Sequence, residues 1–348
     1  MESTSDDFLL LLLIILCGSS AQELEQSEEK VIDLSHYGAM LYGNPSTVNG
    51  RRLDRWRKAS EKGNPEEQGA YVEGDILIPS THVRNGLRSQ SSYWPSGIVP
   101  LEVIGPFSNS DIQVIQAAIN SYHSYTCISF VERQASHRDY VSIQNTGTGC
   151  WSSVGRIGGG QIVNLQSPGC TVKVGTVIHE LMHAIGFLHE QNREDRNNYV
   201  QILTDNIQFG FEADFQPAAS GSTNDFGVAY DYSSVMHYSS TAFSKNGLPT
   251  IVPVLPFTGE MGQREGFAES DVAKIRRMYS CPGQDTQQGT EEVLGDVWAM
   301  IFSPPRGKRQ IRRRIHLKKS LKKKQSIAIS LSSPTTISRV KSLKIKLP

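Results

Sequence analysis

Hydrophobic positions along this chain change their period several times, and each change marks a predicted element. Phe8 to Cys17 is an unbroken apolar run, followed by Gly18-Ser19-Ser20-Ala21. The run is too short to span a bilayer, and small residues at Ser19 and Ala21 suit a signal-peptidase site. Residues 1–21 are therefore expected to form a cleaved signal peptide. The leading Met1 to Asp7 is acidic, where such signals usually begin with positive charge. From 22 to 84 the pattern is polar and weakly periodic. The stretch Asn44 to Gly69, rich in Gly, Pro, Asn and Arg, is expected to bury little core. Further on, Ile112, Ile115, Ile119 and Tyr122 recur at helical spacing, with Ser108 or Ser110 as the predicted cap. Ile128-Ser129-Phe130-Val131 and Tyr140-Val141-Ser142-Ile143 alternate like half-buried strands. Gly158 to Leu165 predicts a strand entered through three glycines, which lack the Lys-Ser/Thr of a phosphate loop. A last helix is predicted over Ser270 to Tyr279, with Val272, Ile275 and Tyr279 in register. Helices and strands mixed in this order predict an α+β fold.

The densest chemistry lies in His179-Glu180-Leu181-Met182-His183-Ala184-Ile185-Gly186-Phe187-Leu188-His189. On a helix predicted from Thr176 to Ala184, positions i and i+4 share a face. His179 and His183 can then aim ring nitrogens at one metal ion. Glu180, one residue on, can reach a metal-bound water without ligating the metal. Gly186 lets the backbone leave the helix through the left-handed region and present His189 as a third ligand. Three protein ligands leave a fourth position open, the mark of a catalytic zinc site. A bare H-E-x-x-H arises by chance on the order of once per hundred chains of this length. The glycine and the third histidine, at fixed offsets, lower that chance by further orders of magnitude. Downstream, Ser234-Val235-Met236-His237-Tyr238 has the make-up of a Met-turn, with Met236 beneath the metal.

With the continuation His189-Glu190-Gln191-Asn192-Arg193-Glu194-Asp195-Arg196, which matches H-E-Q-x-R-x-D-R, these motifs resemble the astacin family of zinc endopeptidases. The resemblance covers about residues 85–283 and a preceding pro-segment. It implies a two-lobed, metzincin-like protease with a cleft between its subdomains and one zinc ion on His179, His183 and His189. It also implies Glu180 as general base, and Tyr238 as a resting zinc ligand that swings to bind the oxyanion. Tyr71-Val72-Glu73-Gly74-Asp75 resembles the pro-segment motif F-x-G-D, with Val72 where the family often has Phe. Asp75 would then fill the open zinc position and keep the zymogen latent. Arg84-Asn85 is the predicted activation cleavage, and the freed Asn85 amine is implied to pair through water with Glu190. The strand at 158–165 is implied to lie near the cleft, where a peptide could add by backbone hydrogen bonds. The short architecture and the Val-Glu-Gly-Asp-Ile segment resemble fish hatching-type enzymes, although Ser89-Gln90-Ser91-Ser92 lacks their extra cysteine pair.

Cys17 would leave with the signal. Cys127, Cys150, Cys170 and Cys281 remain, an even number that reads as two disulfides in an exported domain. Sequence alone allows three pairings; the resemblance implies Cys127–Cys281 and Cys150–Cys170. The zero net charge conceals −3 over 1–21, −3 over 22–84, −5 over 85–283 and +11 over 284–348. The basic tail, with Arg312-Arg313-Arg314 and Lys322-Lys323-Lys324, is expected to be disordered and solvated, and to be able to contact polyanions. His36, His82, His123, His137, His237 and His316 match no ligand position and are expected to be structural or solvated. The chain thus reads as a secreted zymogen without a membrane span. Its expected partners are an activating protease and protein or peptide substrates. Two alternatives are a catalytically inactive zinc-fold binding module, against which the intact Glu180, histidine triad and Tyr238 argue, and a polyanion-binding protein acting through its tail.

Overall fold

Helical periodicity becomes helix at every predicted place, and at one place where none was expected. The computed structural model describes residues 31–32, 34–59, 62–79, 91–221 and 223–282. The expected signal peptide (1–21), the Arg84-Asn85 cleavage point, His82, His316 and the basic tail from 284 lie outside the described residues. The helices are α1 (Thr47–Ala59), α2 (Asn109–Tyr125), α3 (Val174–Ala184) and α4 (Glu269–Met278). In α2, Ser108 is the cap: its Oγ accepts from Asp111 N at 3.2 Å, while Ser108 N donates to Asp111 Oδ2 at 2.8 Å. Ile115, Ile119 and Tyr122 face inward and are fully buried.

A five-stranded sheet carries the larger core. Its strands are β5 (Ile98–Ile104), β6 (Ser129–Glu132), β7 (Tyr140–Gln144), β8 (Cys150–Ser152) and β9 (Gly160–Leu165), in the order β6-β5-β7-β9-β8. The first four of that order run parallel and β8 alone runs antiparallel. Four minor two-residue strands precede them, β1 (Val31–Ile32), β2 (Tyr42–Gly43), β3 (Ile78–Pro79) and β4 (Ser91–Ser92). β10 (Val200–Ile202) and β11 (Ile251–Pro253) follow as an antiparallel pair. The strand at 158–165 was expected to offer its edge to the cleft. In the sheet β9 lies one strand in from the edge, paired by β7 over Gly160–Asn164 and by β8 over Val163–Leu165. The edge belongs to β8, a strand of three buried residues, too short and too uniformly buried to show an alternating pattern.

Two hydrophobic cores make the two lobes. One joins the sheet to α2, α3 and α4, through Ile115, Ile143, Val163, Leu181 and Ile275. The other is aromatic and gathers Phe211, Phe215, Tyr230, Tyr232, Tyr238 and Phe243. Cys127–Cys281 and Cys150–Cys170 are both formed, and the first ties the end of α2 to the end of α4. Among the remaining histidines, His123 Nε2 accepts from Phe130 N at 3.0 Å and His137 Nδ1 from Gln134 N at 3.0 Å.

Asn44 to Gly69 does bury little core, as expected, but it contains a helix that the weak periodicity did not predict. Residues 47–59 form α1, and Leu53 enters the main core with 1% exposure. Its side chain lies where a Cβ on Gly169 would collide with it at 2.8 Å, so the site is shaped around it. The helix has too few apolar residues for a clear period; one well-fitted leucine docks it. We expect Leu53→Ala to destabilise the uncleaved protein by about 2–5 kcal/mol. Thermal unfolding checks this, and an unchanged midpoint would show that Leu53 does not anchor α1.

Candidate metal centre and active site

Three imidazoles and one carboxylate converge between the two cores. His179 and His183 stand one turn apart on α3. The helix then ends in a Schellman turn, with Gly186 N donating to His183 O at 2.8 Å and Phe187 N to Met182 O at 3.1 Å. Gly186 has φ +116°, a conformation that a residue with a Cβ would resist, and the turn delivers His189 to the other two histidines. Nε2 of His179 lies 3.2 Å from Nε2 of His183 and 3.3 Å from that of His189. Asp75 places Oδ2 3.0 Å from His179 Nε2 and 3.4 Å from His189 Nε2, and Oδ1 3.4 Å from His183 Nε2.

These spacings suit a metal. A tetrahedral zinc ion with ligands at about 2.0–2.1 Å needs ligand–ligand edges of about 3.3–3.4 Å. All four residues are buried. The opposite ring nitrogens are fixed as well: Nδ1 of His179 donates to Val235 O at 2.7 Å, and Nδ1 of His183 to Phe187 O at 2.7 Å. Nδ1 of His189 donates to Glu73 Oε2 at 2.6 Å. Such acceptors leave each Nε2 lone pair directed at a common point. Burial opposes charge on His189, yet the Asp75 and Glu73 carboxylates push its pKa up to about 10. The pocket demands a positive charge, whether proton or metal ion.

Glu180 is fully buried beside His179, and neither carboxylate oxygen has a hydrogen-bond partner. Burial, and then the Asp75 and Glu66 carboxylates, hold its pKa well above the usual carboxylate range. Tyr238 lies with its ring centroid 4.7 Å from that of His189. Its hydroxyl donates to Glu73 O at 2.7 Å, away from the ligand position implied by resemblance. Asp75, not Tyr238, stands beside the three imidazoles.

The turn at Ser234–Tyr238 sits beneath the triad, with Met236 in the main core. Asp271, near the start of α4, fixes it: Ser234 Oγ donates to Oδ1 at 2.6 Å and Val235 N to Oδ2 at 2.8 Å. Val235 O in turn holds His179. His237, expected to be structural, is buried between Tyr230 Oη at 2.7 Å and Tyr238 O at 2.7 Å. Glu190 lines a cavity of about 680 Å³. Its carboxylate meets Lys274 Nζ at 2.5 Å, Arg193 Nη1 at 3.2 Å and Asp231 N at 3.0 Å. Asn85, its expected partner, lies outside the described residues. Within them, Lys274 and Arg193 supply the positive charge.

The N-terminal segment reaches this centre by running along the free edge of the sheet. Ser152 N of β8 donates to Asp75 O at 2.9 Å, and Leu77 N donates to Ser152 O at 3.0 Å. Upstream, Glu66 forms a fully buried ion pair with Arg264 Nε at 2.5 Å. Glu67 accepts from Ser239 N at 2.6 Å and from Ser239 Oγ at 2.8 Å. Asp271, Lys274, Glu66 and Glu73 were not singled out from sequence. Each acts on a residue far away along the chain, and no local spacing marks it.

The family model for astacin, a family of peptidases, matches residues 86–280. Zinc metalloproteinase nas-4 of Caenorhabditis elegans is 40% identical over 225 residues, 62% of this chain and 70% of that protein. Astacin-like metalloendopeptidase of Gallus gallus is 40% identical over 224 residues, 63% of this chain and 53% of that protein, so the chain spans about half of the longer relative. In structure the chain is similar to High choriolytic enzyme 1, a hatching enzyme zinc-protease from Oryzias latipes. The TM-score is 0.50 at 35% identity, covering 54% of this chain and 93% of the other. No helix among the described residues is long and apolar enough to cross a membrane. With more than half of its length matched, and with a histidine triad at zinc spacing inside the matched part, the chain belongs to the astacin family of zinc metallopeptidases.

Proposed function

We propose that this chain is a secreted zinc endopeptidase made as a zymogen, with residues 1–21 as signal, 22–84 as pro-segment, 85–283 as protease and 284–348 as a basic tail. One observation carries the reading. The buried cluster of His179, His183, His189 and Asp75 lies beside the unpartnered carboxylate of Glu180, and its carboxylate member comes from the segment to be removed. Cleavage at Arg84-Asn85 by an activating protease would release Asp75 and open its position. The zinc metalloproteinase and metalloendopeptidase relatives support proteolysis of protein or peptide substrates.

His179, His183 and His189 would hold the zinc ion. Bound zinc supplies Lewis acidity, lowering the pKa of water towards 7 and polarising a carbonyl oxygen. Glu180 takes a proton from the attacking water and passes it to the leaving amine. Its burial and lack of competing partners keep the carboxylate available for both transfers. Tyr238, freed from Glu73 O, turns its hydroxyl to donate to the oxyanion of the tetrahedral intermediate. Asp271 and the Met-turn keep His179 in position through Val235 O. The freed amine of Asn85 would enter the Glu190 cavity, where Lys274 and Arg193 already balance the carboxylate.

Four variants test the reading. The purified protein should carry one zinc ion per chain by elemental analysis, and His183→Ala should carry almost none; undiminished zinc in that variant would remove His183 from the ligand set. After removal of the pro-segment, Glu180→Ala should hydrolyse a quenched peptide at least about a hundredfold more slowly while retaining zinc. Tyr238→Phe should lose about 2–4 kcal/mol of transition-state stabilisation, read in kcat. Full turnover in either variant would sink the role given to that residue. For latency, the uncleaved Asp75→Ala protein should hydrolyse peptide while the uncleaved wild type stays silent. Silence in both would mean that occlusion by the rest of the pro-segment is sufficient.

A further inference from the structure

Two of the three imidazoles are oriented by backbone carbonyls of the protease itself, Val235 O for His179 and Phe187 O for His183. The third is not. His189 Nδ1 meets Glu73 Oε2 at 2.6 Å, a carboxylate of the pro-segment. Glu73 is held on every polar group it has. Its N donates to Asp214 Oδ1 at 2.9 Å, its O accepts from Tyr238 Oη at 2.7 Å, and its Oε1 accepts from Tyr37 Oη. It is buried to 3% exposure. Its backbone also lies in the left-handed region, φ +48°, followed by Gly74 at φ +87°. A side-chain-bearing residue there costs on the order of 1 kcal/mol, and such strain persists where the surroundings over-determine it. If the turn alone mattered, glycine at 73 would make it without strain. Glutamate brings a carboxylate, which strengthens an imidazole as a metal ligand more than a neutral acceptor does and keeps the ring from rotating.

We propose that Glu73 is a metal-positioning residue: its carboxylate orients His189 for zinc, so that the uncleaved chain retains the ion more firmly than it would without that group. This rests on the triad holding zinc, as argued above. The pro-segment then contributes twice to the centre, with a ligand from Asp75 and an orienting partner from Glu73. Both leave in a single cleavage.

The test compares uncleaved wild type, Glu73→Gln and Glu73→Ala, each loaded with zinc and challenged with a chromogenic chelator. Parallel samples loaded with cobalt report ligand geometry in the visible spectrum. Glu73→Ala should release zinc about 10–100-fold faster than wild type. Glu73→Gln, which keeps shape and an acceptor but not charge, should fall between, and both cobalt spectra should shift. Once the pro-segment is removed proteolytically, the three proteins are the same polypeptide. They should then release zinc at one rate and show one specific activity, which certifies that the protease had folded. Equal release from uncleaved wild type and Glu73→Ala overturns the proposal and leaves Glu73 as a turn residue. Should Glu73→Ala fail the folding control, Glu73→Gln decides alone: release and spectrum matching wild type overturn the proposal. A wild-type protein that binds no zinc at all would overturn instead the metallopeptidase reading on which the proposal rests.

Discussion

The Nε2 atoms of three buried imidazoles lie 3.0–3.4 Å from the oxygens of one buried carboxylate, Asp75. Lone pairs packed in this way repel in a medium that screens poorly, so a positive charge, proton or metal ion, belongs among them. That one electrostatic requirement organises the centre. It explains the Schellman exit that delivers His189 and the three separate Nδ1 acceptors. It also explains why a buried aspartate on α4 is used to pin the turn that supplies Val235 O. Each of these features costs something in isolation. Together they fix the directions of lone pairs that free side chains would hold only part of the time.

The N-terminal segment meets the same requirement by different means. It brings Glu66, Glu67, Glu73 and Asp75 to Arg264, Ser239, His189 and the triad, so each acidic group finds a donor or a cation of the protease. The Glu66–Arg264 pair is the most demanding. Burial pushes Glu66 up to about 6 although the guanidinium favours its charged form, and Arg264 Nη2 and Glu66 Oε2 both remain unpartnered. A pair of that kind adds little net stability, but breaking one side of it costs about 3–5 kcal/mol. Its value lies in register: it holds the segment at one place in the cleft, and nine residues later Asp75 arrives at the triad.

What was legible in the sequence follows from how each feature is encoded. The histidine triad, Glu180 and the glycine exit are encoded by spacing within eleven consecutive residues, and spacing maps directly onto a helix face. The helices over 109–125 and 269–278 were readable for the same reason. Asp75 and both disulfides came from resemblance, since nothing local distinguishes a turn aspartate from a ligand. Helix α1 is not legible in the sequence because a single leucine fitted against Gly169 leaves no periodic trace. The edge of the sheet leaves little trace in the sequence because it is a three-residue, uniformly buried strand with a disulfide at its first position. Glu66 with Arg264, and Asp271 with Val235, are joined only through the tertiary fold.

The same structure separates the contacts of the N-terminal segment from the two cores. Among the described residues, Leu53 is the only one before position 94 in the buried main core, and the aromatic core of the second lobe draws on none of them. The apolar contacts of Leu41, Ile76 and Ile78 form a separate cluster with Val154 and Ile157. Cys127–Cys281 and Cys150–Cys170 likewise close entirely within the part matched to the family, save for Cys281 one residue beyond it. The N-terminal segment thus gives one buried leucine to the main core, and its other apolar contacts lie in clusters at its own seam with the rest of the chain. Under the proposed cleavage, the contacts that would inhibit and the contacts that fold the two lobes would be carried by largely different residues, so the segment could be held in place by many buried polar contacts without either lobe depending on it for its interior.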